Sequence, residues 1–238
     1  MAYYDGIAKQ WHEATGYKGG VFKELVLNNI LLEKIPPIHN RSILELGTGN
    51  GYFLPLVMRR FSGQQPSGIV ITDVSEKLLK IAQQHFRTPN ATYERLDVCK
   101  PFSFSNNSFD LIIASMIFNE LPSYCFINAV NECYRVLTTN CLLLITVIHP
   151  SFVQNLQKRE QLKPIKNGPL TMPGSGSLRL PVVITTLETY RTVLQGAGFQ
   201  YEETEAGSSE KVLQAKKGLR NAGNIPVALV FTCKKSPE

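Results

Sequence analysis

Ile43-Leu44-Glu45-Leu46-Gly47-Thr48-Gly49-Asn50-Gly51-Tyr52 is the stretch on which the reading of this chain turns. It runs from an apolar strand pattern, Arg41 to Leu46, into an amphipathic pattern, Tyr52 to Arg60, through a turn with glycine at every second position. Glycine accepts left-handed backbone and carries no Cβ, so a ligand can approach the chain, and the helix that follows offers free N–H donors. A dinucleotide turn reads G-x-G-x-x-G; here Tyr52 stands in place of the third glycine. Glu45, two residues before the first glycine, repels a pyrophosphate and suits a cationic ligand.

Outward from this turn the same alternation repeats. Gly68 to Thr72, Ala91 to Leu96, Phe109 to Ala114, Cys141 to Ile148, Phe199 to Thr204 and Val227 to Thr232 read as further strands, several apolar throughout as in strands covered on both faces. Glu76 to Phe86, Cys125 to Leu137 and Leu187 to Ala197 read as amphipathic helices, with Asp73 and Ser75 as cap candidates for the first and Gly198 as the stop of the last. Strand alternating with helix predicts a doubly wound, mainly parallel α/β sheet. The polar segment Gly207 to Asn224 breaks the rhythm, so the last strand pair is expected to make an antiparallel excursion at one edge. Ser151 to Thr185, rich in Pro, Gly, Ser and Lys, has little periodicity and reads as a long inserted loop over the active edge. At 238 residues the chain fits one domain: cap helices over 1–40, a core over 41–150, an insertion or lid over 151–185 and the rest of the sheet over 186–238.

Charge is uneven. Ser151 to Thr185 and Lys211 to Lys235 hold 11 Lys and Arg against the single acid Glu160, while the whole chain carries +6. Such asymmetry admits an acidic partner, but aromatics interleaved with the basic residues are missing, which argues against nucleic acid. The apolar run Cys141 to Ile148 is far shorter than the roughly 20 residues of a membrane span. Cys99, Cys125, Cys133, Cys141 and Cys233 are odd in number and form no C-x-x-C pair, so neither a disulfide framework nor a zinc site is expected, and a reducing cytoplasm fits. Asp5, Lys9 and Glu13 interrupt any signal-peptide pattern at the start.

Glu45-x-Gly47-x-Gly49-x-Gly51 resembles the first motif of the class I S-adenosylmethionine-dependent methyltransferases, and the similarity continues in order. Asp73-Val74-Ser75, Leu96-Asp97-Val98, Phe109 to Ser115 leading into Met116 to Leu121, and Asn131 to Leu137 resemble the motifs that follow. The resemblance spans Tyr4 to Thr204 and implies a seven-stranded Rossmann-like fold that binds S-adenosylmethionine without a metal. By the same resemblance Asp73 would hold the ribose hydroxyls and Asp97 would lie at the adenine. Glu45, Gly47, Thr48, Gly49, Gly51, Val74, Val98, Ser115 and Met116 would complete the cofactor site, with Tyr4 and Trp11 closing over it. Two positions depart from the pattern: Thr138-Thr139-Asn140 replaces a Pro-Gly-Gly turn, and Asn119-Glu120 stands where relatives often carry histidine.

Asp110, at the start of its strand and away from the ligand edge, reads as structural. His149 ends the fifth strand and is the candidate general base. Phe118, Asn119, Glu120, His149 and Phe152 are expected to border a small-molecule acceptor. The alternatives are an RNA methyltransferase and a non-catalytic binding module. Ser115-Met116-Ile117-Phe118 in place of an N/D-P-P-Y/F tetrapeptide weakens the first, and the intact cofactor positions weaken the second.

Overall fold

In a computed structural model the described residues are 2–164, 169–174, 177–207 and 225–237. Five strands, β1 (Ser42–Leu46), β2 (Gly68–Asp73), β3 (Ala91–Arg95), β4 (Phe109–Ser115) and β5 (Leu137–Ile148), are linked by helices α3 (Phe53–Arg60), α4 (Glu76–His85) and α5 (Ser123–Val136). Helices α1 (Ala2–Thr15) and α2 (Asn28–Lys34) precede them. After β5 come α6 (Pro150–Lys158), the short strands β6 (Lys163–Pro164), β7 (Leu170–Pro173) and β8 (Arg179–Pro181), then α7 (Leu187–Gly196), β9 (Phe199–Ala206) and β10 (Ala228–Lys235). Among the described residues the main sheet has seven strands in the order β3-β2-β1-β4-β5-β10-β9. The antiparallel strand belongs to the edge pair: β10 lies one place in from the rim and runs antiparallel to both β5 and β9.

The two-residue period of the strands separates the core into two layers. Ile43, Ile69, Ile71, Leu111, Ile113 and Leu144 face one cluster with Phe22, Leu31, Phe53 and Val57. Leu44, Leu46, Ile112, Ala114, Leu143 and Ile145 face the other, built on Phe126, Ala129, Val130 and Cys133 of α5 and on Tyr190 and Leu194 of α7. Burial on both faces explains why these strands read as continuous apolar runs. Asp110 has the structural role expected of it: its carboxylate accepts from the Ser42 backbone N–H (2.9 Å) and hydroxyl (3.0 Å), tying β4 to β1 at the end remote from any ligand. Ser75 caps α4, its hydroxyl accepting from the Leu78 N–H. In Thr138-Thr139-Asn140, the stretch that replaces a Pro-Gly-Gly turn, Asn140 adopts φ +65°, a left-handed conformation that Asn tolerates better than most residues.

Two expectations are corrected. The stretch 151–185 is not a long loop. His149 caps α6, Pro150 occupies its first turn, and Phe152, Val153 and Leu156 enter the core on its buried face, while β6, β7 and β8 form a small antiparallel sheet. The prolines and glycines beyond the helix mask that short pattern in the composition. Second, Cys99 and Cys125 form a disulfide across a separation of 26 residues, with their Cα atoms 4.3 Å apart; Cys133, Cys141 and Cys233 are buried free thiols. The pair joins the loop after β3 to the first turn of α5, a proximity that only folding creates. The polar segment 208–224 lies outside the described residues. No helix among the described residues is long and apolar enough to cross a membrane.

Candidate functional site

Strand order reverses between β1 and β4, and at such a switch point a crevice opens beyond the carboxyl ends of the strands. Here a cavity of about 520 Å³ fills it, roofed by α1, by the segment that precedes α2 and by the small sheet. Its floor is the glycine turn. Gly47 and Gly49 have φ of +62° and +60°, and Trp11 of α1 crosses so near that a Cβ on Gly49 would lie 3.3 Å from its Nε1. Asp73, buried at the end of β2, accepts from the Gly49 N–H (2.8 Å) through one oxygen and from the Ser75 N–H (2.9 Å) through the other. One carboxylate thereby fixes both the glycine turn and the start of α4.

Glu45 is buried beneath the turn and accepts a 2.6 Å hydrogen bond from the Thr48 hydroxyl. Burial pushes its carboxyl up to about 7, against the opposing influence of Thr48 and of Lys23. Burial likewise carries Asp73 up to about 6, although hydrogen bonds from Ser75 and Gly49 favour its charged form. Glu120 is pushed up to about 8 by desolvation, with the Tyr4 hydrogen bond and Lys23 opposing. Lys23 is pulled down to about 8 by desolvation.

These shifts give the cavity a pH signature. An acid whose folded value is raised keeps a proton that the unfolded chain has already lost, so its contribution to stability is complete below about pH 4 and disappears as pH rises through its folded value. For Asp73, Glu45 and Glu120 that window ends at about 6, 7 and 8. His85 and His149, both lowered by burial, act in the opposite direction below their ordinary value of 6.5. Three carboxyls outweigh two histidines, and the ligand-free protein is expected to unfold at lower urea concentration at pH 8 than at pH 5.5. A midpoint that rises with pH across that interval would contradict the carboxyl assignments.

Most residues singled out from the sequence converge on this cavity. Tyr4, Trp11, Glu45, Gly47, Thr48, Gly49, Asp73, Val74, Asp97, Val98, Ser115, Met116, Asn119 and Glu120 all line it. Met116 holds φ +62°, and its N–H donates to the Thr146 carbonyl at 2.8 Å, so β5 keeps this strained residue in place at the cavity wall. Four residues are elsewhere. Gly51 does not line the cavity; it lies against Ala82 of α4. Phe118 is buried in the α5-side core and Phe152 in the opposite layer, because successive apolar residues of a short turn or helix find the nearest dry face. His149 is also absent from the lining: its Nδ1 accepts from the Ser151 N–H (3.1 Å) and its Nε2 faces Glu205 at 3.5 Å. A ring that caps α6 and points towards β9 is not aimed at the cavity, and burial holds it below its ordinary value. His149, the candidate general base, thus caps α6 and does not line the cavity.

Sequence reasoning missed Tyr3, Lys23, Asn50 and Tyr52, which also line the cavity. Lys23 opens a π-helical turn, Lys23–Leu27, whose charged and apolar residues carry no ligand pattern. Asn50, between two of the glycines, was the legible one: its amide donates to the Gly16 carbonyl (2.7 Å), tying the turn to the end of α1.

The arrangement fits S-adenosylmethionine, a ligand with ribose hydroxyls, an ammonium, a sulfonium and an adenine amine. Donors and cations of that kind need acceptors, and the wall offers the Asp73, Glu45 and Asp97 carboxylates. It also holds polar atoms that have no hydrogen-bond partner, Asn50 Oδ1 and Asn119 Oδ1. Such buried groups gain from a polar ligand. The Gly49 cradle is space that a side chain would fill. No group of three or more His, Cys, Asp or Glu among the described residues is placed to hold a metal ion.

Comparison with known proteins agrees with this geometry. Residues 43–140 match the family model of a methyltransferase domain. No curated protein matches the chain in a sequence search. Among solved structures, the S-adenosylmethionine-dependent methyltransferase of Mesorhizobium loti is similar with a TM-score of 0.66 and 19% identity, covering 87% of this chain and 96% of that one. The phosphoethanolamine N-methyltransferase 2 of Haemonchus contortus, in complex with S-adenosyl-L-methionine, superposes with a TM-score of 0.70 at 16% identity, over all of this chain and 58% of its own. The [4+2]-cyclase SpnF shares the fold too, at a TM-score of 0.61 and 17% identity over 89% of this chain and 81% of its own. Likeness at that identity speaks for the fold, whereas the family model covers the residues that build the cradle, and over residues 43–140 this chain matches a methyltransferase domain.

Proposed function

We propose that this protein transfers the methyl group of S-adenosylmethionine to a small-molecule acceptor. The observation that carries the reading is a roofed cavity, which extends from the Asp73–Gly49 cradle to a wall made of Tyr3, Phe22, Met172 and Leu180. A concave site of this size suits a small acceptor beside the cofactor. It does not suit a polymer.

When bound, the cofactor supplies an electrophilic methyl group on a positively charged sulfur. Asp73 would accept from the ribose hydroxyls while continuing to hold the glycine turn, and Asp97 with Val98 would border the adenine. Glu45 and the glycine turn would border the amino-acid end. Trp11 and Tyr4 from α1, with Met172 and Leu180 from the small sheet, exclude water and align the acceptor, which is the main demand of an in-line displacement that neutralises charge. The basic stretches late in the chain suggested an acidic acceptor. None of their described Lys or Arg residues lines the cavity, and the acids in its wall disfavour both an acidic acceptor and RNA.

Calorimetric titration with S-adenosylhomocysteine tests the reading. Asp73→Ala is expected to weaken binding about tenfold to a hundredfold, the loss of a charge-assisted hydrogen bond of roughly 1.5–3 kcal/mol. Equal binding by variant and parent would remove Asp73 from the site.

A further inference from the structure

The cavity wall contains a further carboxylate, Glu120, to which the reading above gives no part in holding the cofactor. Glu120 stands on a short turn, Phe118–Glu120, after β4, and its Oε2 accepts a 2.6 Å hydrogen bond from the Tyr4 hydroxyl. Helix α1 sets that tyrosine rigidly. Tyr3 and Tyr4 meet edge to face with centroids 5.5 Å apart, and Tyr4 meets Trp11 in the same way at 5.8 Å. The Tyr3 hydroxyl in turn donates to the Arg179 carbonyl of β8, which fastens the tyrosine pair to the small sheet. One Glu120 oxygen is therefore fixed by protein, in a wall built of aromatic rings.

The ionisable groups that face Glu120 are Tyr3 and Tyr4 from α1, Lys23 from the turn before α2 and Asp73 from the end of β2. Lys23 is the one cation in that set, and it must also serve Glu45. Its ammonium lies 5.0 Å from the centre of the Tyr52 ring. Carboxylates outnumber it, so an anionic acceptor meets repulsion, while a cation meets a carboxylate and aromatic rings together.

Resting on the methyltransferase reading above, we propose that Glu120, positioned by Tyr4, is the acceptor subsite, that the acceptor is a small amine, and that Glu120 takes its proton. The amine enters as an ammonium ion and gives one N–H proton to the Glu120 carboxylate. The freed nitrogen lone pair forms the new N–C bond to the methyl carbon as the C–S bond breaks, and that bond's electron pair stays on sulfur. The methylated product leaves as an ammonium ion, and the Glu120 proton passes to solvent. A carboxyl whose resting value of about 8 lies close to neutral pH is suited to both taking and releasing that proton.

Sinefungin provides the probe, since it carries a primary amine where the transferable methyl group sits, and S-adenosylhomocysteine is the control that lacks it. Both are titrated calorimetrically at pH 7 into the full-length protein, in phosphate and in Tris, so that the heats report protons exchanged as well as affinity. The wild-type protein is expected to bind sinefungin about tenfold more tightly than S-adenosylhomocysteine, with additional proton release as Glu120 ionises against the new cation. Glu120→Gln should reduce that advantage to about threefold or less and abolish the additional proton release, with S-adenosylhomocysteine affinity unchanged. Tyr4→Phe, which keeps the carboxylate and loses its positioning bond, should retain the proton release and show an intermediate advantage. A wild-type protein that does not prefer sinefungin, or a Glu120→Gln protein that keeps the full preference, would overturn the proposal. Failure of the wild type to bind S-adenosylhomocysteine would be a different result, overturning the methyltransferase reading and the subsite with it.

Discussion

Gly51→Val is expected to cost about 2–5 kcal/mol of folding stability, read as a lower midpoint in urea unfolding. Two effects add. Gly51 holds φ +74°, where an L side chain costs roughly 1–2 kcal/mol. A Cβ there would also lie 2.7 Å from the Ala82 Cβ and 2.8 Å from the Ala82 Cα, so the α4 backbone must move, and overpacking of this kind costs roughly 1–3 kcal/mol. Gly49→Val is the informative partner. It shares the backbone strain at φ +60°, but its side chain meets only the Trp11 ring and the open cavity. Its stability loss should therefore be the smaller of the two, while its affinity for S-adenosylhomocysteine should collapse. Equal urea midpoints for Gly51→Val and the parent would show that the third glycine of the turn does not set the approach of α4. Unchanged ligand affinity in Gly49→Val would remove the cradle.

Breaking the Cys99–Cys125 disulfide is expected to lower stability by about 3.5 kcal/mol, the loop entropy released when a closure of this length is opened in the unfolded chain. The bridge spans 26 residues and includes β4 in its loop. The loop that carries Cys99 has other restraints. Asn128 of α5 donates to the Val98 and Lys100 carbonyls, and the Glu132 carboxylate accepts from the Phe102 N–H. The reduced protein should therefore stay folded under native conditions and reveal the loss only in denaturant. Urea unfolding with and without a phosphine reductant, alongside Cys125→Ser, measures the difference. Identical midpoints, or five free thiols counted in protein purified without reductant, would show that the pair does not contribute.

Much of the fold was legible because burial on both faces writes itself into composition. Ile43, Leu44, Leu111, Ile112, Leu143 and Leu144 are apolar whichever way they point, and the helices between them carry their periodicity openly. Helix α6 was not legible, since three buried residues beside a Pro- and Gly-rich stretch are too few to announce a helix. The cofactor side of the site could be read for a different reason. Its residues sit at successive strand ends, Glu45 just before the glycine turn and Asp73 at the end of the next strand, so the strand-helix-strand order brings them together. The rest of the cavity wall is assembled from α1, the turn at Lys23, the loop after β4 and the small sheet. No local spacing relates Tyr4 to Glu120, which are 116 residues apart. His149 shows the same limit in reverse, because a position at the end of a strand was legible whereas the direction of its ring was set by the N-terminus of α6. By itself the sequence determined a doubly wound sheet, the glycine turn and the acids placed at the strand ends around it. Tertiary structure alone decided which distant side chains complete the cavity wall, which glycine packs against a helix and which two cysteines meet, since each of these depends on elements whose contact is settled by burying two distant apolar surfaces against each other.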